Sequence, residues 1–160
     1  MEEKNEIESK DEIKSLDDNE VPTLCKIITK DNIEFMVDEK LFTLSSVLTT
    51  LLECEKETTY SEINLNVSSG SFTFILLYLQ QHFQNPHEEC NKKVISNDFS
   101  ENIKCRWCFD NIKQGNKILY ELINDVNYLG ITCLLDILCV KIACMIKDKS
   151  PDEINKILEN

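Results

Sequence analysis

Glycine, proline and histidine are scarce in this chain, at three, three and two residues in 160. So few glycines leave no Gly-rich loop to cradle a phosphate, and two histidines close together, at 82 and 87, cannot by themselves supply a Ser/His/Asp arrangement. No run of about 18 apolar residues occurs, so no membrane-spanning helix is expected. The opening MEEKNEIESKDE is acidic and polar, unlike a signal or transit peptide. A soluble, intracellular protein, cytoplasmic and nuclear, is the expectation. Cations are also few, 17 against 29 acids, and the formal charge of −12 opposes binding to nucleic acid or an anionic membrane surface. With the acids scattered and no catalytic set present, a non-enzymatic protein that binds other proteins fits best.

What is abundant is cysteine, eight residues. Their irregular spacing, the missing secretory signal and a length sufficient to bury one core argue for reduced thiols over a disulfide scaffold. Charge is also concentrated. Residues 1 to 20 hold nine acids and three lysines, a net of −6, with little apolar surface. This stretch reads as a disordered acidic tail.

Behind the tail, LCKIITKDNIEFMVDEK carries two β-branched runs, Cys25 to Ile28 and Ile33 to Val37, around the turn signal Asp31-Asn32, and predicts a β-hairpin. Val47, Leu48, Leu51 and Leu52 follow at helical spacing behind a Ser45 cap, and Ile63, Leu65 and Val67 alternate as a third strand. Phe72, Ile75, Leu76, Leu79 and Phe83 then predict one face of a Ser-capped helix that stops before Pro86. Residues 85 to 115 are polar and weakly periodic and read as a variable loop. Past the loop, Leu119, Leu122, Ile123 and Val126 mark a one-faced helix closing at Gly130.

The next segment, TCLLDILCVKIACMIKDK, is apolar nearly all the way round. Either it is a central core helix, or one face packs inside and the other meets a partner. Finally, SPDEINKIL combines a Ser150 cap, Pro151 at the first helical position and Glu153 completing a capping box, with Ile154, Ile157 and Leu158 along one side.

Two segments resemble the S-phase kinase-associated (Skp-type) adaptor family, which joins cullin to F-box proteins in SCF ubiquitin ligases. KIITKDNIEFMVDEKLFTLSSVLTTLLE is similar to its opening strand, turn, strand and Ser-led helix; LYELINDVNYLGITCLLDILCVKIACMIKDKSPDEINKIL is similar to its C-terminal run. The resemblance implies an α/β (α+β) BTB/POZ-like domain over 21 to 130, with a small three-stranded sheet, followed by a C-terminal helical extension over 131 to 160 that holds the F-box. It further implies a cullin contact at Asn127 and Tyr128 and an F-box contact at Leu135, Cys139, Ile142, Ile154 and Leu158, with at most a weak homodimer when the chain is free. Gly130 stands where the family has Asp, and CVKIA stands for its Cys-Lys-Thr-Val-Ala. The chain ends at Asn160, whereas members usually continue into a further acidic helix that clasps the F-box, so the extension is expected to be truncated.

One further motif falls in the family's variable loop. Cys105-Arg106-Trp107-Cys108 sits there, and the resemblance implies that Trp107 and Phe109 take the places of the family's Trp and following aromatic, where they are expected to pack the loop's end onto the domain. The alternative is zinc: His87-x2-Cys90 and Cys105-x2-Cys108 are short-spaced pairs separated by fourteen residues, with His82 able to substitute for His87. A thioredoxin-like dithiol is disfavoured because that chemistry wants its first Cys at a helix N-terminus after a strand, and this pair follows a polar loop. No cofactor is expected, and a zinc-binding, thiol-redox or homo-oligomerising protein is the rival to the adaptor.

Overall fold

The structure is a computed structural model that describes residues 23–55, 62–86, 94–112 and 116–159. The acidic tail, and with it the expectation of disorder there, lies outside the described residues.

The hairpin forms as its pattern dictates. Strands β1 (Leu24–Ile28) and β2 (Glu34–Asp38) pair antiparallel with Ile27 opposite Phe35 and Cys25 opposite Val37. The turn is made by Asn32, whose φ of 60° is tolerated by Asn, and by Thr29, whose hydroxyl both donates to the Ile33 carbonyl and accepts from the Ile33 amide. Strand β3 (Glu62–Asn64) joins the other side of β1 in parallel, giving the order β2-β1-β3. The crossover between β2 and β3 contains a 3₁₀ turn (Glu39–Leu44), started by Asp38 accepting from the Lys40 amide, and helix α1 (Ser46–Glu55). On the sheet's outer side, Lys26 of the central strand reaches Glu34 and Glu62, at 2.8 and 3.4 Å. On the inner side Cys25, Ile27, Val37 and Ile63 are buried.

Helix α2 (Ser69–Gln84) is capped by Ser68, which accepts from the Ser71 amide, and ends at Asn85 before Pro86. Its buried face is Phe72, Ile75, Tyr78, Leu79 and His82. The predicted stripe is thus corrected: Phe72, Ile75 and Leu79 point in, but Phe83 is 40% exposed and the inward positions are taken by Tyr78 and His82. The first turn of α2 is tied to the hairpin, because the Asp31 carboxylate accepts from both the amide and the hydroxyl of Ser69.

The segment read as a loop over 85 to 115 is corrected too. Its described part builds two short helices, α3 (Phe99–Asn102) and α4 (Arg106–Asn111). Neither is long enough to show periodicity; each rests on a side-chain cap, from Asp98 to the Ser100 amide and from Cys105 to the Cys108 amide. Buried Asn102 organises the approach to them, its Nδ2 donating to the carbonyls of Ser96 and Asp98 and its Oδ1 accepting from the Ile95 amide.

Helices α5 (Asn116–Leu129), α6 (Thr132–Ile146) and α7 (Pro151–Glu159) complete the chain. The α5–α6 corner is a Schellman motif: the Gly130 amide donates to the Asn127 carbonyl and the Ile131 amide to the Val126 carbonyl, with Gly130 at φ 65°. A Cβ on Gly130 would meet the Ser46 hydroxyl oxygen, and the positive φ and this close approach together favour glycine at the corner. Leu119, Leu122, Val126 and Leu129 of α5 join Leu134, Ile137 and Leu138 of α6 in one core with the sheet and α2.

Candidate partner-binding surfaces and a histidine–cysteine cluster

The all-round apolar helix resolves into two faces. Leu134, Ile137, Leu138, Val140 and Cys144 of α6 are buried. On the opposite side Leu135 and Ile142 are only partly covered by the core, and Cys139 between them is exposed. These three positions, one turn apart, form the stripe that the resemblance assigns to the F-box. Desolvation raises the Cys139 thiol above its usual range, with the nearby Asp136 carboxylate adding to the shift, so this thiol stays protonated and acts as a small apolar group.

Helix α7 packs against α6. The capping box forms as its spacing requires: the Glu153 carboxylate accepts from the Ser150 amide and hydroxyl, both at 2.9 Å, and the Glu153 amide donates back to the Ser150 hydroxyl. These hydrogen bonds from the Ser150 backbone and side chain hold the Glu153 carboxyl below its ordinary range. Ile154 and Ile157 are half-buried; Leu158 falls in the last turn of α7. The sequence-predicted F-box residues thus share one α6–α7 unit.

Asn127 and Tyr128 stand on the last turn of α5, both exposed, Tyr128 at 44%. They belong to a different element from the α6–α7 stripe. Their helix end is fixed from below by Ser45, which is completely buried: its hydroxyl donates to the Leu129 carbonyl at 2.5 Å and accepts from the Leu48 amide at 3.1 Å. One hydroxyl therefore starts α1 and finishes α5. Sequence reasoning found the Ser45 cap but not its second bond, which spans 84 positions and leaves no local signal.

Of the zinc pattern, His87 and Cys90 lie outside the described residues. Cys105 and Cys108 meet His82, the substitute ligand, with sulfur-to-Nε2 distances of 3.7 and 3.5 Å. Cys105 caps α4, which removes one of the two objections to a dithiol; the other stands, since no strand leads into it. The described cysteines are all free thiols. Trp107 packs as expected, within 6.2 Å of the rings of Phe74, Tyr78 and His82. A groove of about 430 Å³ is lined by Ser46, His82, Gly130, Ile131 and Cys133 among others, between the end of α2 and the α5–α6 corner. Among the described residues no helix is long and apolar enough to cross a membrane.

Residues 132–159, the α6–α7 unit, match the family described as "Skp1 family, dimerisation domain". Over most of its length the chain is similar to a Skp1-related protein of Caenorhabditis elegans, 32% identical over 140 residues, covering 82% of this chain and 77% of the relative. It is 31% identical to the S-phase kinase-associated protein 1 homolog of Tetrahymena thermophila, across 84% and 80% of the two chains. A third relative, the SCF ubiquitin ligase complex protein SKP1a of Dictyostelium discoideum, is 31% identical over 136 residues, covering 84% and 82%. With the small mixed sheet, the capped α6–α7 unit and these relatives in agreement, the chain belongs to the Skp1 family.

Proposed function

We propose that this chain is the non-catalytic adaptor of a cullin-based SCF-type ubiquitin ligase, acting by proximity: it holds a substrate-bearing F-box protein on one surface and a cullin on another. The observation that carries this reading is the divided α6, whose buried face belongs to the core while Leu135, Cys139 and Ile142 are left partly or wholly open, with half-buried Ile154 on the helix α7 that packs against it. A stripe of this kind suits the apolar face of partner helices. Support also comes from relatives named as SCF ubiquitin ligase subunits. The cullin contact is assigned to exposed Asn127 and Tyr128, where an amphipathic aromatic suits an anchor.

The two surfaces should break separately. Ile154 is half-buried before any partner arrives. Completing its burial is worth about 1 kcal/mol, half of the full value for such a side chain, and a carboxylate in its place adds a desolvation cost. Ile154→Asp should therefore weaken binding of an F-box segment by more than about fivefold while sparing cullin. Asn127→Ala with Tyr128→Ala should weaken cullin binding and spare the F-box. Binding of each folded variant to a purified cullin N-terminal region and to a purified F-box segment is the measurement. Loss of both partners in either variant, or of neither, refutes the two-surface adaptor, and a stable homodimer that excludes both partners would favour the homo-oligomer instead.

A further inference from the structure

The geometry points to a zinc site made by His82 at the end of α2 with Cys105 and Cys108 at the start of α4. The three ligand atoms lie within 4.8 Å of one another. A tetrahedral zinc with bonds of about 2.3 Å to sulfur and 2.0–2.1 Å to nitrogen requires sulfur-to-nitrogen edges of about 3.6 Å. The two edges measured here are 3.5 and 3.7 Å. The third edge, sulfur to sulfur, must come to about 3.8 Å for the same bonds; it lies within 4.8 Å here, so one cation fits the cluster once the two sulfurs draw together.

The surroundings are those a metal-binding imidazole needs. Nδ1 of His82 faces the Asn85 carbonyl oxygen at 3.3 Å. A carbonyl only accepts, so Nδ1 carries the proton and the lone pair sits on Nε2, the atom aimed at both sulfurs. The Cys108 amide points at Cys105 Sγ from 3.3 Å, the contact that steadies a thiolate in a Cys-x-x-Cys chelate. Cys108 and His82 are buried, while Cys105 is half-exposed and leaves the cluster open on one side to an ion and a water. Two sulfurs and one imidazole select zinc over magnesium or calcium. The fourth position goes to water. Binding would displace the thiol protons and fasten α4, with Trp107 on it, to α2.

The site is independent of the adaptor function and is tested on the full-length chain, reduced and then mixed with zinc alone. Native mass spectrometry should show a single zinc per chain, and chelator should lower Tm. Cobalt in place of zinc should give thiolate-to-cobalt charge-transfer absorption. His82→Ala and Cys108→Ser should abolish stoichiometric binding, whereas exposed Cys54→Ser should leave it unchanged. Cys105→Ser keeps an N-cap side chain and so guards against misfolding. That variant should weaken zinc by more than the roughly 10- to 100-fold that loss of an outer-sphere partner costs. Reduced protein that stays metal-free at excess zinc overturns the site. So does folded Cys105→Ser binding as tightly as wild type, or a Cys105–Cys108 disulfide that persists in the presence of zinc and mild reductant.

Discussion

Ser45→Ala removes one oxygen and two bonds from the place where the ends of α1 and α5 meet. The bond from the Leu48 amide is a helix cap, and replacing such a cap by alanine costs about 1 kcal/mol. The bond to the Leu129 carbonyl is different in kind, because the hydroxyl is fully buried and its loss takes away a donor without restoring water; that costs about 1–3 kcal/mol. The sum is about 2–4 kcal/mol, a large share of the 5–15 kcal/mol typical of a folded domain. Ser68→Ala is the matched control. It removes the cap of α2, where the serine is half-buried and bonds only within its own turn, so about 1 kcal/mol should be lost. Urea unfolding followed by circular dichroism should move the midpoint for Ser45→Ala at least twice as far as for Ser68→Ala, with unchanged slope. Amide exchange at residues 127–131 should quicken in the first variant alone. Equal midpoint shifts would mean that the bridge to α5 contributes nothing beyond the cap, and the coupling argued here would fail.

Two further outcomes follow from the same region and from the hairpin. Gly130→Ala should cost about 1–2 kcal/mol for the left-handed backbone, and more from the approach to Ser46. Adding Ser46→Ala should return the steric part, so strictly additive losses in a double-mutant cycle would disprove that contact. The Asp31 carboxyl is held at about 2, below its ordinary 3.8, chiefly by the Ser69 hydroxyl. A depressed folded pKa gives stability that is present above 3.8 and lost as the pH falls toward about 2. Wild type should therefore exceed Asp31→Asn in Tm near neutral pH and converge with it at about pH 2; a constant gap across that window would show that the carboxylate's charge is irrelevant.

Much of this fold is legible where a segment's pattern and its environment agree. The hairpin is read from alternating β-branched residues about Asp31-Asn32, and α7 from Ser150, Pro151 and Glu153, because both are decided within a few residues. The inward face of α2 is misjudged at its end because Phe83 outranks His82 in apolarity, and inward Tyr78 is missed with it. His82 turns inward to meet Trp107 and two cysteines that arrive more than twenty residues later, and no window along the sequence sees them. The motif pairs ligands by short spacing, His87 with Cys90, and offers His82 only as a substitute; it is His82 that meets Cys105 and Cys108, while His87 and Cys90 lie outside the described residues. Helices α3 and α4 escape notice because single caps, not periodicity, hold them.

The way α7 is held bears on how a partner could use it. Asp148 enters the left-handed region at φ 59°, a conformation its short side chain tolerates, and this turns the chain sharply after α6. Ser150 and Glu153 then start the new helix from within the helix itself. Nine residues are too few to be stable in isolation, so the local caps must be supplemented by the contact with α6. Ile154 and Ile157 remain only half-buried. A docking helix would complete the burial of residues already in helical conformation, and its binding energy would not be spent on folding α7. The core beneath α6 is closed independently by Leu134, Ile137 and Leu138, which are at most 1% exposed. Outward substitutions on α7 should for this reason change affinity before they change the stability of the domain.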